Sequence, residues 1–205
     1  MTSTVYTIGH STHPIDGFIG LLKRHGITAL ADVRSSPYSR FNPQFNRETL
    51  RAALDAADIQ YVFLGDELGA RSQDRSCYVN GRAEYELLAK TQQFQHGLTR
   101  VAQGAEKHVI ALMCAEKDPL TCHRTVLVAR HLALRGLDIQ HILEDGRLES
   151  HGDALARLLA ETGVPDHDLF RSREELIDEA YHRRGMEIAY TESPNDEQRA
   201  EGATR

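Results

Sequence analysis

Short apolar runs that alternate with helix-like segments are the feature that most constrains the fold of this chain. Five runs have the β-branched or apolar character of strands, at residues 5–9, 29–34, 61–65, 108–114 and 138–143. Between them, apolar residues recur at helical spacing, as in Ile15, Phe18 and Leu22. Strands that alternate with helices favour parallel βαβ units. The sequence therefore predicts an α/β, Rossmann-like three-layer fold, with a mainly parallel central sheet of about five strands and helices on both faces.

Further helical patterns cover residues 82–104, 122–136, 150–162 and 170–183. We expect the last two to form a helical C-terminal extension, at about residues 150–183, of a single α/β domain that spans residues 1–183. Residues 184–205 are polar and acidic, which predicts a disordered tail.

The composition excludes several classes of protein. No run approaches the roughly 18 apolar residues of a membrane-spanning helix, and the N-terminus lacks the pattern of a secretory signal. The three cysteines, an odd number, argue against a disulfide scaffold and for a reducing compartment. We therefore expect a cytoplasmic protein with no membrane partner.

The net charge of −6 is unevenly distributed along the chain. Residues 144–205 carry 16 acidic and 8 basic side chains, a balance of −8 that leaves +2 for residues 1–143. Because net charge governs solubility and long-range steering rather than local binding, the acidic balance does not exclude a phosphate-bearing ligand.

The segment CAEKDPLTCHR, residues 114–124, is the most informative. We predict that it runs from a strand end through a turn into a helix with Thr121 as the N-cap. A helix N-terminus favours negative charge and lowers the pKa of a thiol, so Cys122 and Arg124 are candidates for holding an anion.

The same segment admits two other interpretations. Cys114, Cys122 and His123 are soft metal ligands, to which His10 or His13 could add a fourth. However, their spacing matches no common zinc motif and neighbouring residues rarely point the same way, so no metal site is assigned. The third interpretation is a reversible disulfide between Cys114 and Cys122.

The segment DVRSSPYSRFNPQFN, residues 32–46, is the second candidate site. Asp32 and Arg34 alternate along a strand end, so their side chains should point to the same side. Arg34 and Arg40 are interleaved with aromatic residues, as stacking on a base with contacts to its phosphate requires. A surface loop whose rings pack onto the sheet edge fits this composition equally well.

A third segment, TIGHST at residues 7–12, is predicted to end a strand in Gly9, His10 and Ser11. Gly9 would let a ligand approach the backbone closely, and His10 could act as a general acid or base. The glycine pattern of a dinucleotide fingerprint is absent. Ligands in open parallel sheets bind beyond the carboxyl ends of the strands, so we expect the three segments to meet at one edge.

Taken together, these three segments and LGDELGA at residues 64–70 resemble the DUF488 family, over about residues 5–143. Family members commonly show a second glycine where this chain has Ala70. The resemblance implies an α/β fold with a polar site at one sheet edge. It implies no activity, because the function of the family is unknown.

These observations lead to the hypothesis of an enzyme, of hydrolase or transferase type, that acts on a phosphate-bearing substrate such as a nucleotide or a nucleic-acid end. The candidate catalytic residues are His10, Asp32, Glu116 and His123. The candidate substrate-binding residues are Ser11, Arg34, Arg40, Cys114, Cys122 and Arg124. The alternatives are a non-catalytic nucleotide- or nucleic-acid-binding module and a metal- or redox-responsive protein that uses Cys114 and Cys122. Neither a cofactor nor an oligomeric state follows from the sequence.

Overall fold

The computed structural model describes residues 3–192 and has a six-stranded sheet at its centre. The strands of this sheet are β1 (Thr4–Gly9), β2 (Ala29–Asp32), β3 (Gln60–Phe63), β6 (Ile110–Cys114), β7 (Asp138–Ile142) and β8 (Leu148–Ser150). A separate hairpin consists of β4 (Tyr78–Val79) and β5 (Arg82–Ala83). The central order is β3-β2-β6-β1-β7-β8, and every pair is parallel except β7 with β8. The predicted parallel α/β sheet is confirmed.

The α-helices are α1 (Ile15–Arg24), α2 (Arg47–Asp55), α3 (Gly65–Leu68), α4 (Tyr85–Leu88), α5 (Gln92–Ala105), α6 (Arg130–Leu134), α7 (His151–Thr162) and α8 (Arg173–Ile188). Short 3₁₀ turns lie at Pro43–Phe45, Arg75–Cys77 and Pro119–Thr121, and Arg124–Ala129 is π-helical. Within residues 3–192, no helix combines the length and apolar character needed to cross a membrane.

Strand β6 is apolar at every position because both of its faces are covered. Leu112 and Cys114 pack into one hydrophobic cluster, whereas Ala111 and Met113 pack into another on the opposite face. Successive strand residues point to opposite faces, so a sheet covered on both sides needs apolar residues throughout. Helix α5 contributes to the first cluster, and α1 and α2 contribute to the second. The result is the expected three-layer arrangement.

The segment 82–104 is not the single helix that its apolar spacing predicts. Asn80 and Gly81 have positive φ values of 52° and 75° and turn the chain between β4 and β5. Helix α4 follows, and α5 begins anew where the Thr91 hydroxyl accepts a hydrogen bond from the Phe94 N–H. The hairpin and the Thr91 cap interrupt a periodicity that the apolar residues alone would carry through.

The structure is ordered beyond residue 184, where the sequence predicts that a disordered tail begins. Helix α8 starts at a capping box formed by Ser172 and Glu175 and continues to Ile188. Beyond it, the Tyr190 carbonyl accepts a hydrogen bond from the Ala83 N–H at 2.9 Å, which joins the C-terminal segment to β5. The expectation of disorder is therefore wrong for residues 184–192. Residues 193–205, the rest of the predicted tail, lie outside the described residues.

Candidate functional site

A cleft of about 440 Å³ opens over the carboxyl ends of β2 and β6. Its walls are formed by residues from 34–38, 70–71, 114–123 and 188–190, together with Tyr85. This is the edge at which ligands bind in open α/β sheets, and the volume lies within the usual range of ligand pockets, about 300–1,000 Å³. The cleft is therefore the candidate functional site.

One wall of the cleft carries Cys114, Cys122 and His123, which we call the Cys–His cluster. The sulfur of Cys114 lies 3.6 Å from Nδ1 of His123, and the sulfur of Cys122 lies 3.8 Å from the same nitrogen. All three donor atoms lie within 4.8 Å of one another, and all three residues are buried. Both sulfurs and the imidazole thus face a common point at the base of the cleft.

The local backbone explains how two adjacent residues join this cluster. Cys122 is extended, with φ −137° and ψ 141°, whereas His123 is already helical, with φ −60° and ψ −25°. The change of conformation turns both side chains toward Cys114, so the expectation that they point apart is wrong. Thr121 is also not the predicted N-cap: its hydroxyl donates to the Asp118 carbonyl, and the Cys122 sulfur accepts the Arg124 N–H at 3.4 Å.

Glu116 lies against the cluster, with Oε2 at 2.9 Å from the Cys122 sulfur. Burial and the neighbouring Cys122 charge raise the pKa of Glu116. Burial alone would raise the pKa of Cys122, but the hydrogen bond from Cys114 and the charges of Arg124 and His123 outweigh it and hold this pKa well below its usual value. The short contact is therefore a hydrogen bond between the Glu116 carboxyl group and the Cys122 sulfur.

His123 is fixed by the backbone of the neighbouring strand connection. Its Nε2 lies 2.9 Å from the Val33 carbonyl oxygen, which can only accept, so Nε2 carries a hydrogen. Burial would lower the pKa of His123, but the Cys122 charge and hydrogen bond raise it. The ring is thus held with Nδ1 directed at the two sulfurs.

Arg34 lines the cleft but is held from behind by two other predicted site residues. Asp32 accepts from Nε and NH2 of Arg34 at 2.9 and 2.6 Å, so the two side chains share a side, as predicted. Nε2 of His10 lies 3.3 Å from NH1, and burial lowers the pKa of His10 to about 4. His10 is a neutral acceptor that positions Arg34, and neither it nor Asp32 lines the cleft. Direct contact of His10 or Asp32 with substrate is therefore not supported.

Arg124 is buried inside the protein and braces the loop that carries Glu116. Its NH1 and NH2 donate to the carbonyl oxygens of Glu116 and Lys117, at 2.7 and 3.2 Å. The side chain is fully buried and does not line the cleft. The predicted anion contact is thus replaced by an internal one, since the loop carbonyls accept the hydrogen bonds of the guanidinium.

Two predicted binding residues lie away from the cleft. The Arg40 guanidinium is 4.9 Å from the centroid of the exposed Phe41 ring. Ser11 has a positive φ of 46°, and its N–H donates to the Ala115 carbonyl. Neither residue lines the cleft. The loop after β2 turns back toward α2, and this carries Arg40 away from the site.

Gly9 permits a close approach, but the partner is protein backbone. A Cβ at this position would lie 1.9 Å from the Glu116 carbonyl oxygen. The absence of a side chain at the end of β1 therefore lets the loop with Glu116 pack directly onto the sheet edge. The same packing completes the wall that contains the Cys–His cluster.

The sequence interpretation missed several residues of the opposite wall. Arg71 lies at the cleft with its guanidinium 4.3 Å from the centroid of the Tyr190 ring. The long polar loop at residues 65–81, which contains arginines, is the sequence feature that could have identified Arg71 as a site residue. Ile188 and Tyr190 also line the cleft. They were missed because residues 184–205 were predicted to form a disordered tail.

The fold and the cleft define an α/β protein with a polar site at the carboxyl edge of its sheet. Residues 14–131, more than half of the chain, match the family model described as a domain of unknown function, DUF488, so the protein belongs to the DUF488 family. The resemblance noted in the motifs is confirmed. No curated protein and no solved structure matches the chain. Ala70, the departure from the family pattern, is not among the residues with positive φ, so the substitution needs no strained backbone.

Proposed function

We propose that the protein is an enzyme, of hydrolase or transferase type, that binds a phosphate-bearing substrate such as a nucleotide or a nucleic-acid end in this cleft. One observation carries the proposal: a single cleft is lined both by arginine and hydroxyl donors and by the Cys–His cluster with Glu116. A binding module needs only the first of these two groups. An enzyme needs both, because the bound group must meet proton donors and acceptors.

Arg71 is the cation that supports anion binding most strongly. Among residues 3–192 its guanidinium forms no ion pair, and its main-chain N–H is held by the Ser35 hydroxyl at 3.0 Å. By contrast, the charge of Arg34 is matched by the buried Asp32 carboxylate. Arg34 uses four of its five N–H groups within the protein, which leaves one on NH1. The two arginines would therefore act differently, Arg71 through charge and Arg34 through one rigid donor.

The remaining groups in this cleft suit a nucleotide better than a bare phosphate. Ser35 and Ser36 line the cleft and can donate to phosphate oxygens. Tyr38 is 55 % exposed and Tyr85 lines the same cleft, so aromatic rings are available to a base. Aromatic stacking together with a cation and hydroxyl donors is the combination expected for a nucleotide ligand.

Glu116 is the group that we assign to proton transfer. Glu116 lines the same cleft as Arg71, and Arg124 fixes its backbone through the Glu116 carbonyl. A carboxyl held on a braced loop beside the bound substrate can accept a proton from an attacking water or alcohol. His123 and the two cysteines complete the wall behind it.

The proposal is tested by the pair Arg71→Gln and Arg51→Gln. Arg51 is exposed and, within residues 3–192, its ion pair is with Asp55 at 3.8 Å on helix α2, so its replacement is a matched control. The substrates are ribonucleoside mono-, di- and triphosphates and a 5′-phosphorylated dinucleotide, with products separated by chromatography. We expect Arg71→Gln to lower kcat/KM by about 10- to 100-fold, the loss of one charged contact, and Arg51→Gln to leave it unchanged.

A third variant separates catalysis from binding. Glu116→Gln should abolish turnover while the dissociation constant for the nucleotide changes little, since the carboxyl acts on the proton rather than on the phosphate. Nucleotide binding without turnover by the unmodified protein would contradict the enzyme and leave a binding module. Equal effects of the two arginine variants would place the ligand elsewhere.

A further inference from the structure

The Cys–His cluster has the donor set of a metal-coordination site. Cys114 ends a buried strand, while Cys122 and His123 directly precede the helical segment Arg124–Ala129, so two segments bring two sulfurs and one nitrogen together. Thiolate and imidazole are the donors that zinc prefers in proteins. Cys77, the third cysteine, is also buried but lies on a different turn and does not join the cluster.

The donor spacing agrees with tetrahedral geometry. Zinc–sulfur bonds of about 2.3 Å and zinc–nitrogen bonds of about 2.05 Å, at tetrahedral angles, put sulfur and nitrogen about 3.6 Å apart. The two observed sulfur-to-Nδ1 distances are 3.6 and 3.8 Å. These two distances therefore match those around a tetrahedral cation bound by a thiolate and an imidazole.

The Val33 carbonyl supplies a second, independent observation. It accepts a hydrogen bond from Nε2 of His123 at 2.9 Å, so Nδ1 is the nitrogen that can exchange its proton for a metal ion. A histidine that binds metal through one nitrogen commonly donates the other N–H to a backbone carbonyl or a carboxylate. The ring is thus oriented as a ligand rather than as a surface side chain.

We propose that Cys114, Cys122 and His123 bind a zinc ion whose fourth position opens to the cleft. Three protein ligands with one open position are typical of catalytic zinc sites, whereas structural sites are closed by four. All three residues line the cleft, and Glu116 lies beside them with Oε2 at 2.9 Å from the Cys122 sulfur.

The role of the open position rests on the proposed function. Zinc held by these three residues would supply a Lewis acid at the base of the cleft, and Glu116 would be the carboxyl group beside its open position. The same donor set with an adjacent glutamate activates water in zinc-dependent nucleobase deaminases. Binding of zinc itself needs neither a substrate nor turnover.

The test uses full-length protein, purified anaerobically, stripped with EDTA and titrated with Zn²⁺ or Co²⁺ alone. We expect equimolar binding, and for Co²⁺ the intense visible bands of a tetrahedral site together with thiolate-to-metal charge transfer. Cys122→Ser and His123→Gln should weaken binding by at least about 100-fold. The matched control Cys77→Ser removes a buried thiol outside the cluster and should bind as the unmodified chain does.

A second measurement keeps the proposal testable if Cys122→Ser fails to fold. In the unmodified protein, zinc should block alkylation of Cys122 by iodoacetamide, located by peptide mass spectrometry, while labelling of Cys77 should not depend on zinc. Absence of equimolar metal, or equal alkylation of Cys122 with and without zinc, would overturn the site. A reductant-sensitive Cys114–Cys122 disulfide in a protein that binds no zinc would identify a redox pair instead.

The two proposals fail separately. Arg71→Gln should bind zinc normally, because Arg71 is not part of the Cys–His cluster. Loss of nucleotide turnover with intact zinc binding would therefore concern the proposed substrate, and loss of zinc binding with intact turnover would concern the metal alone.

Discussion

Two buried histidines near the carboxyl ends of adjacent parts of the sheet differ in how their ring nitrogens are satisfied. His141 lies with Nδ1 at 2.8 Å from the Thr7 hydroxyl and Nε2 at 3.1 Å from Nδ1 of His151. His151 in turn lies 3.1 Å from the Tyr181 hydroxyl. In this series of hydrogen bonds, every ring nitrogen of His141 and His151 has a protein partner. His123 pairs one nitrogen with a carbonyl and turns the other toward two sulfurs.

This difference distinguishes a structural histidine from one that can bind a metal ion. A buried polar group that has all its partners stabilises the fold and has no remaining capacity for a ligand. Nδ1 of His123 faces two cysteine sulfurs and keeps that capacity, because one cation can be bound by all three atoms. Both regions meet at β1, where Thr7 contacts His141 and Gly9 contacts the loop of Glu116.

The largest effect is expected for Gly9→Ala, which should disrupt the loop of Glu116 beside the Cys–His cluster and leave the contacts of His141 in place. The added Cβ would lie 1.9 Å from the Glu116 carbonyl oxygen, and neither backbone segment can move easily. We expect the free energy of unfolding in urea to fall by about 3 kcal/mol and zinc binding to be lost. In the control Gly20→Ala, on helix α1, the Cβ meets nothing within 4 Å, so stability should rise by about 0.5–1 kcal/mol.

The next effect comes from replacing each histidine by phenylalanine. His141→Phe leaves the Thr7 hydroxyl and a His151 nitrogen without partners, which should lower the free energy of unfolding by about 2–3 kcal/mol. His123→Phe loses one hydrogen bond to Val33 and should cost about 1 kcal/mol without metal. Zinc titration should show the reverse order, with binding kept in His141→Phe and lost in His123→Phe. Equal losses in both measurements would erase the distinction between the two histidines.

The buried pair His141 and His151 should contribute to the pH dependence of stability, in the same direction as His10, whose pKa burial also lowers to about 4. Burial lowers the pKa of His151 to about 4 and that of His141 well below its usual value, so both are neutral in the folded protein near neutral pH. The unfolded chain takes up protons below its pKa of about 6.5, so the free energy of unfolding should fall as the pH drops from about 6.5 toward 4. We expect His151→Gln to remove about 1 kcal/mol of this fall near pH 5.5, measured by urea unfolding in EDTA. Identical pH profiles would show that His151 ionises freely.

The smallest effect is expected for Arg71→Gln, measured as stability rather than activity. Among the described residues the guanidinium makes no ion pair and stacks on Tyr190, so the free energy of unfolding should change by less than about 0.5 kcal/mol. A clearly larger loss in urea unfolding would mean that Arg71 supports the fold, and its assignment to ligand binding would be weakened.

The central sheet could be predicted because its signal is local. Strands such as β6 are short apolar runs bounded by turn residues, and the alternation with helices determines their parallel arrangement. The hairpin β4–β5 and strand β8 have two or three residues each, too few for a period. They form because turns and neighbouring strands hold them in place.

Part of the lining of the candidate site could be predicted for the same reason. Several residues at or after the carboxyl ends of parallel strands are expected to lie at one edge of the sheet. Those found in the cleft are Arg34, Cys114, Glu116, Cys122 and His123. Whether an arginine faces the cleft or the interior depends on acceptors from distant segments: Arg124 is drawn inward by the loop carbonyls. The backbone change between Cys122 and His123, which creates the cluster, likewise has no signature in residue spacing.

The far wall of the cleft has a consequence for how members of the family could differ. The Cys–His cluster and Arg71 fall inside residues 14–131, whereas Ile188 and Tyr190 come from a segment beyond them that is fastened to β5. The Cys–His cluster and part of the surface that encloses the cleft are thus carried by different stretches of chain. Exchange of the C-terminal segment would reshape the cleft and leave the Cys–His cluster unchanged.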